Sequence, residues 1–438
     1  STLFKDWHEK DLRAFIRRDR NHPSIIAWST GNEIREQRPD GHAVSVMLAK
    51  IVHEEDPTRL VTAAANGGDS STNGFQKTVD VFGFNYKPTL YGKFHQDSPN
   101  IPVWATETAS TVSSRGEYFF PVSDDKSKGF FNFQVSSYDL YAPRWATPPD
   151  TEFAGQDKNP FVAGEFVWTG FDYLGEPTPF DRDSTTLLNF SDPAEQAKAA
   201  EELKAFSKIK VPSRSSYFGI VDLCGFKKDR FYIYQARWRP DLPMAHILPH
   251  WNWPERIGQV TPVHVYTSGD EAELFLNGKS LGRKKVEAFQ YRLRWDDVVY
   301  QPGELKVIAY KAGKKWAEDI VKTTGSSSQL VMTADRPDIK ANGSDLSFIT
   351  VRVTDKNGLT APRSKNRIKF EISGPGEIVA VDNGDATDLE FFQSTNRRVY
   401  NGLALVIIRS IKGKTGKIKL RAISEGLKGA EIGLSTRS

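Results

Sequence analysis

The sequence is 438 residues long and carries 59 basic against 55 acidic residues, a net charge of +4. That is more chain than one hydrophobic core holds and suits two to four domains, while so small a basic excess, interleaved with acids, excludes a nucleic-acid-binding surface. A single cysteine, Cys224, excludes an intrachain disulfide and a thiolate metal cluster, and no apolar run reaches the roughly 18 residues of a membrane-spanning helix.

In chain order, Leu3 to Arg18 places Leu3, Phe4, Trp7, Leu12, Phe15 and Ile16 near helical spacing and predicts an amphipathic helix. Asn21-His22-Pro23 stops it. Ser24 to Asn32 then reads as a strand buried on both faces, and Gly31 frees the backbone to turn into Asn32-Glu33. A helix follows from Ala43 to Glu55. Further strands are predicted at 59–66, 79–86, 101–107 and 162–172. The 101–107 strand, like the first, ends on a carboxyl, Glu107. Alternating helices and parallel strands predict an α/β barrel, whose strand ends carry the chemistry. Two carboxyls at two strand ends are what glycoside hydrolysis requires. Residues 111–160 form a long insertion expected to wall or cover a cleft. Asp192-Pro193 predicts a helix start, with the helix running to about Ser207. A closing helix is expected near Lys228–Arg237.

After Arg239-Pro240-Asp241 the helical period vanishes. Short alternating strands separated by glycine turns take over, with Asn277-Gly278 as a hairpin signal. This predicts one β-sandwich at 239–325 and, beyond Gly325-Ser326-Ser327-Ser328, a second at 326–438.

Asp19-Arg20-Asn21-His22-Pro23-Ser24-Ile25-Ile26-Ala27-Trp28-Ser29-Thr30-Gly31-Asn32-Glu33 closely resembles the acid/base signature of glycoside hydrolase family 2, the β-galactosidase and β-glucuronidase family. Trp104-Ala105-Thr106-Glu107-Thr108-Ala109-Ser110 resembles its nucleophile segment, and Gly164-Glu165-Phe166-Val167-Trp168-Thr169-Gly170-Phe171-Asp172-Tyr173 its last barrel strand. The flanking regions resemble the β-galactosidase-like branch of gut Bacteroidetes. The resemblance implies that residues 1–238 are strands four to eight of an eight-stranded barrel. It also implies that the chain is the C-terminal part of a longer protein, and that 239–325 and 326–438 are immunoglobulin-like modules.

For the site, the resemblance implies Glu33 as acid/base and Glu107 as nucleophile of a retaining exo-β-glycosidase. It implies Asn32 on a sugar hydroxyl, Tyr86 on the nucleophile and Trp168 under the sugar. For these three the ordinary readings stand beside it: a turn asparagine, a buried tyrosine and a core tryptophan. Asp172 is a further candidate for substrate contact, whereas Glu165, early in its strand, reads as structural. His22, before Pro23, reads as structural, and His246 and His250 show no ligand spacing, so no cofactor and no metal motif are expected within these residues. Some family members hold a divalent metal through the third-strand region together with the acid/base Glu, and that alternative stays open because the resemblance places this region upstream of Ser1. Members acting on β-glucuronides carry Asn-x-Lys after the last strand. No such motif lies between Trp168 and the end of the expected barrel at residue 238, and Asn85-Tyr86-Lys87 has the spelling on a different strand. A β-galactoside is therefore the expected substrate, with β-mannosidase or β-glucuronidase activity, or a non-catalytic carbohydrate-binding scaffold, as the alternatives. The expected partners are an oligosaccharide and the N-terminal portion of the same protein, with a homo-oligomer left open. The expected location is periplasmic or secreted.

Overall fold

The computed structural model describes residues 2–180, 194, 197 and 213–438. The helix expected from Asp192 falls outside them apart from Ala194 and Ala197, which are helical. The chain forms two compact units, Ser1–Ser110 with Arg144–Trp168, and Thr111–Pro143 with Thr169–Ser438.

The first unit is a five-stranded parallel sheet with helices between its strands, the pattern of part of an α/β barrel. Its elements run α1 (Thr2–Asp19), β1 (Ala27–Asn32), α2 (His42–Glu55), β2 (Leu60–Ala65), β3 (Val81–Asn85), α3 (Tyr91–Asp97), β4 (Val103–Ala109), α4 (Pro149–Lys158) and β5 (Val162–Trp168). The sheet order is β1-β2-β3-β4-β5, every pairing parallel. Burial follows position in the sheet. All five residues of β3 are buried, as are all of β2 after Leu60. Phe82 and Phe84 of β3 pack with Phe94 and Tyr91 of α3 and Ala105 of β4.

The two edge strands differ from expectation. β1 leaves Ser29 and Asn32 exposed, and Ile26 before it is 68% exposed. β5 has no buried residue, and its Phe166 is 54% exposed. A strand with one hydrogen-bonded neighbour among the described residues buries one flank only. The α1 stripe behaves likewise. Ile16, with Leu12 beside it, joins Trp28, Val52 and Val61 in a small core, while Leu3, Phe4, Trp7 and Phe15 stay exposed.

Inside this unit Glu152 of α4 is fully buried. Its Oε1 accepts from the Tyr91 hydroxyl at 2.6 Å and from Gln156 Nε2 at 3.1 Å, and its Oε2 has no partner among the described residues. An unpartnered buried oxygen is where a proton resides most cheaply. Burial, with Glu165 adding to it, pushes the carboxyl from 4.5 up to about 7. The folded form then holds a proton that the unfolded chain has already released, so the unit loses stability as pH rises from 4.5 to about 7. Glu152→Gln keeps the acceptor for Tyr91 without the charge. Its melting temperature, followed by circular dichroism, is expected to stay level where the parent falls, with an advantage of about 3 kcal/mol above neutrality. Equal pH dependence in both proteins would mean that Glu152 is ionised in the fold.

In the second unit, α5 (Asp229–Trp238) binds segments distant in sequence. Buried Arg230 donates to the carbonyls of Thr111, Tyr217 and Gly219. Lys228, just before α5, donates to Ser113 O at 2.7 Å. Two sandwiches follow. In the first, strands Lys279–Lys285, Glu271–Leu276, Glu304–Lys311 and Lys314–Lys322 form one sheet in that order, and Leu293–Trp295, Val263–Thr267 and Ala245–Leu248 another. Asn277 and Gly278 both have positive φ, 50° and 80°, as a two-residue hairpin turn requires, and Leu276 pairs with Lys279 across it. The last sandwich has sheets of four and five strands between Gln329 and Arg437. Their inner faces share one core, including Ile349, Val351 and Val406 from one sheet and Phe370, Ile418 and Leu420 from the other.

The expected domain 1–238 is thus shared between the two units. Segment 111–143 joins the second through Arg115, whose guanidinium donates to Asp222 at 2.6 Å and to the carbonyls of Asn383 and Tyr400 at 2.8 and 3.0 Å. The remainder of the expected insertion, with α4, stays with the parallel sheet.

Candidate active site

The C-terminal ends of β1, β3 and β4 lie on one side of the parallel sheet, and all three are irregular. The register shifts between Ser29 and Asn32, between Phe84 and Asn85, and between Ala105 and Thr108. Bulges of this kind re-aim side chains at strand ends. Four non-glycine residues here take the left-handed conformation, Glu33 at φ 52°, Tyr86 at 59°, Ala109 at 57° and Ser110 at 56°. Each such residue costs on the order of 1 kcal/mol or more and persists only where the surroundings hold it. The holding contacts are visible. The Glu33 N–H donates to Ala64 O, and the Tyr86 N–H to Glu107 O, each at 2.9 Å.

The two glutamates meet on one amide. Asn85 Nδ2 lies 3.0 Å from Glu33 Oε1 and 3.4 Å from Glu107 Oε2. Those two carboxylate oxygens are therefore no farther apart than the sum of these distances. The same nitrogen lies 2.9 Å from Asn32 Oδ1. Tyr86 donates its hydroxyl to Glu107 Oε1 and lies 2.8 Å from Ser110 Oγ. Burial and the neighbouring Glu107 carboxylate hold the Tyr86 hydroxyl well above its ordinary pKa of 10.0, so it stays a donor at any physiological pH.

Of the residues singled out in the sequence, the structure brings Asn32, Glu33, Tyr86 and Glu107 together. Trp168 ends β5 opposite Ala109, at the same end of the sheet. Glu165 accepts from Thr108 Oγ1 at 2.8 Å. Asp172 lies outside the strand expected to carry it, in the second unit, and is only 6% exposed. Its carboxylate is 2.6 Å from Lys228 Nζ and accepts from the Gly219 N–H at 2.7 Å. Burial pushes Asp172 up and Lys228 down, each against the pull of the other. A carboxylate so engaged holds its own segment together. Among the described residues no group of three His, Cys, Asp or Glu side chains is placed to hold a metal.

Sequence reasoning passed over two residues. Asn85 was legible only as part of a strand, and nothing in its spacing points at either glutamate. Trp145 lies in the long insertion, yet its ring meets Tyr86 edge-on at 4.9 Å and is 48% exposed. No local pattern ties it to β3.

Comparison with known proteins gives this arrangement its family. Residues 4–113 match the glycosyl hydrolases family 2 TIM barrel domain, and residues 330–433 match glycoside hydrolase family 2 C-terminal domain 5. The chain is 37% identical over 476 residues to the β-galactosidase BoGH2A of Bacteroides ovatus, an alignment covering 99% of this chain and 52% of that protein. The chain belongs to glycoside hydrolase family 2. Residues 258–317, in the first sandwich, match a domain of unknown function. A β-glycosidase from Bacteroides vulgatus superposes with a TM-score of 0.81 at 30% identity, over 99% of this chain and 54% of that one. A β-glucuronidase of Formosa agariphila is 23% identical over 433 residues, covering 98% of this chain and 38% of its own length. The chain thus spans about half the length of the first of these family 2 relatives, and less of the last.

Proposed function

We propose that this chain carries the acid/base and nucleophile of a retaining exo-β-glycosidase, with a terminal β-galactoside as its substrate. The observation that carries this is the convergence of Glu33 and Glu107 on the single amide of Asn85. So close an approach of the two carboxylates is compatible with the about 5–5.5 Å between the carboxyls of retaining enzymes.

The chemistry follows from the partners. Glu107, held by the Tyr86 hydroxyl, attacks the anomeric carbon as a carboxylate while Glu33 gives its proton to the departing glycosidic oxygen. This leaves a glycosyl ester on Glu107 and an ionised Glu33. Glu33 then takes a proton from water, the resulting hydroxide adds to the anomeric carbon, and the ester bond breaks to restore Glu107. The sugar leaves with its β configuration kept, after two inversions. Asn32 gives its oxygen to Asn85, so its NH2 is available for a sugar hydroxyl next to the reacting centre. Trp145 and Trp168 offer apolar ring surface for the sugar C–H faces. Two carboxyls and a water supply every group the reaction uses, so no cofactor is proposed. A periplasmic or secreted location belongs to the same proposal.

Galactose is favoured by the 37% identity to a β-galactosidase and by the absence of Asn-x-Lys between Trp168 and residue 238. A β-glucuronidase is the second reading, favoured by relatives of that name. A panel of nitrophenyl β-glycosides with the full-length protein separates them. Fastest release from the β-galactoside is expected, with β-galactose as the first product by NMR. Fastest release from the glucuronide would replace the first reading with the second, and α-anomer as first product would exclude the retaining mechanism.

A further inference from the structure

Asn85 is completely buried at the end of β3, and its orientation is fixed from behind. Its Oδ1 accepts from Thr106 Oγ1 at 2.8 Å. Thr106 reaches it because residue 83 is glycine: a Cβ there would stand 2.6 Å from Thr106 Cγ2 and 2.8 Å from Thr106 Oγ1. With the oxygen engaged, the NH2 has to face forward, where it meets only acceptors: Asn32 Oδ1, Glu33 Oε1 and Glu107 Oε2. An amide nitrogen carries two protons, so three acceptors compete for two hydrogen bonds.

We propose that Asn85 is a positioning residue for the two glutamates, its NH2 shared between them and following the negative charge as it moves from one to the other. This rests on the function proposed above. In the free enzyme the charge is on Glu107 and the proton on Glu33. In the glycosyl ester Glu107 is neutral and Glu33 is the carboxylate. A donor bound firmly to either one would favour one half of the cycle at the expense of the other. A single NH2 within reach of both serves each half in turn with no backbone movement.

The titratable groups facing Asn85 are Glu33, just after β1, and Glu107 of β4; Tyr86, after β3, sits on Glu107, and Glu165 of β5 accepts from Thr108 of β4. A hydrogen bond donated to a carboxylate favours its ionised form. Removing the NH2 therefore makes both glutamates hold protons to higher pH.

The test is the pH profile of kcat/KM for phenyl β-galactoside, a substrate whose poor leaving group needs the acid, in the full-length protein. Asn85→Ala is expected to lower kcat/KM roughly 10- to 100-fold and to move both the acidic and the alkaline limb to higher pH. Asn85→Asp keeps the shape and the Thr106 contact but replaces the donor with a charge, and should move both limbs further. It also answers the question should the alanine variant fail to fold. Lost activity in folded variants with both limbs in place would overturn the proposal and leave Asn85 a packing residue. A wild-type protein that hydrolyses no β-glycoside would overturn the functional reading itself, and this proposal with it.

Discussion

Glu107→Gln is expected to lose turnover on every β-glycoside, whatever the leaving group, by roughly 10⁴-fold or more. The amide keeps an acceptor for Tyr86 and adds no bulk, so the fold and substrate binding should survive. What disappears is the carboxylate proposed to form the covalent ester. Added azide should return activity by attacking the anomeric carbon directly, in one inversion, and the product should be the α-glycosyl azide. The melting temperature of the variant separates this from misfolding. Substantial turnover of a natural disaccharide without azide would remove Glu107 from the mechanism.

Glu33→Gln should fail in a different way. Natural glycosides need a proton on the departing oxygen, and on these the variant should lose about 10²–10⁴-fold. Nitrophenyl glycosides need none, so the ester on Glu107 should still form, seen as a burst of nitrophenolate. Hydrolysis of that ester should then be slow, because water has lost its general base. Azide needs no base and should speed turnover, giving the β-glycosyl azide after two inversions. A β-azide from the Glu107 variant and an α-azide from the Glu33 variant would reverse the two roles.

Both glutamates stood out in the sequence because each follows a short apolar run that reads as a strand, and a carboxyl at a strand end, ordinary on its own, occurs there twice. The Asn277-Gly278 hairpin was legible for a similar local reason, since its backbone needs positive φ at both positions. Asn85 was hidden because its meaning depends on three strands meeting, with Gly83 and Thr106 orienting it from behind. The expectation for Asp172 came from its place after Trp168, and could not foresee Lys228 arriving from a segment far along the chain. The expectation for residues 111–160 as one insertion could not see Arg115, buried against the carbonyls of Asn383 and Tyr400 far along the chain. Contacts between residues so far apart leave no periodic trace in a sequence. Burial of β1 was overestimated because an apolar run gives no sign of whether its strand lies inside a sheet or at an edge.

The most direct measurement of the central claim is mass spectrometry of the full-length protein after incubation with 2-deoxy-2-fluoro-β-galactosyl fluoride. The fluorine at C2 slows both steps, and the good leaving group lets the first proceed, so the glycosyl ester accumulates. Peptide mapping is expected to place one sugar on Glu107, with inactivation in step with labelling and no label in Glu107→Gln. A label on Glu33 or on any other residue, or inactivation with no covalent adduct, would contradict the assignment of Glu107 as the nucleophile.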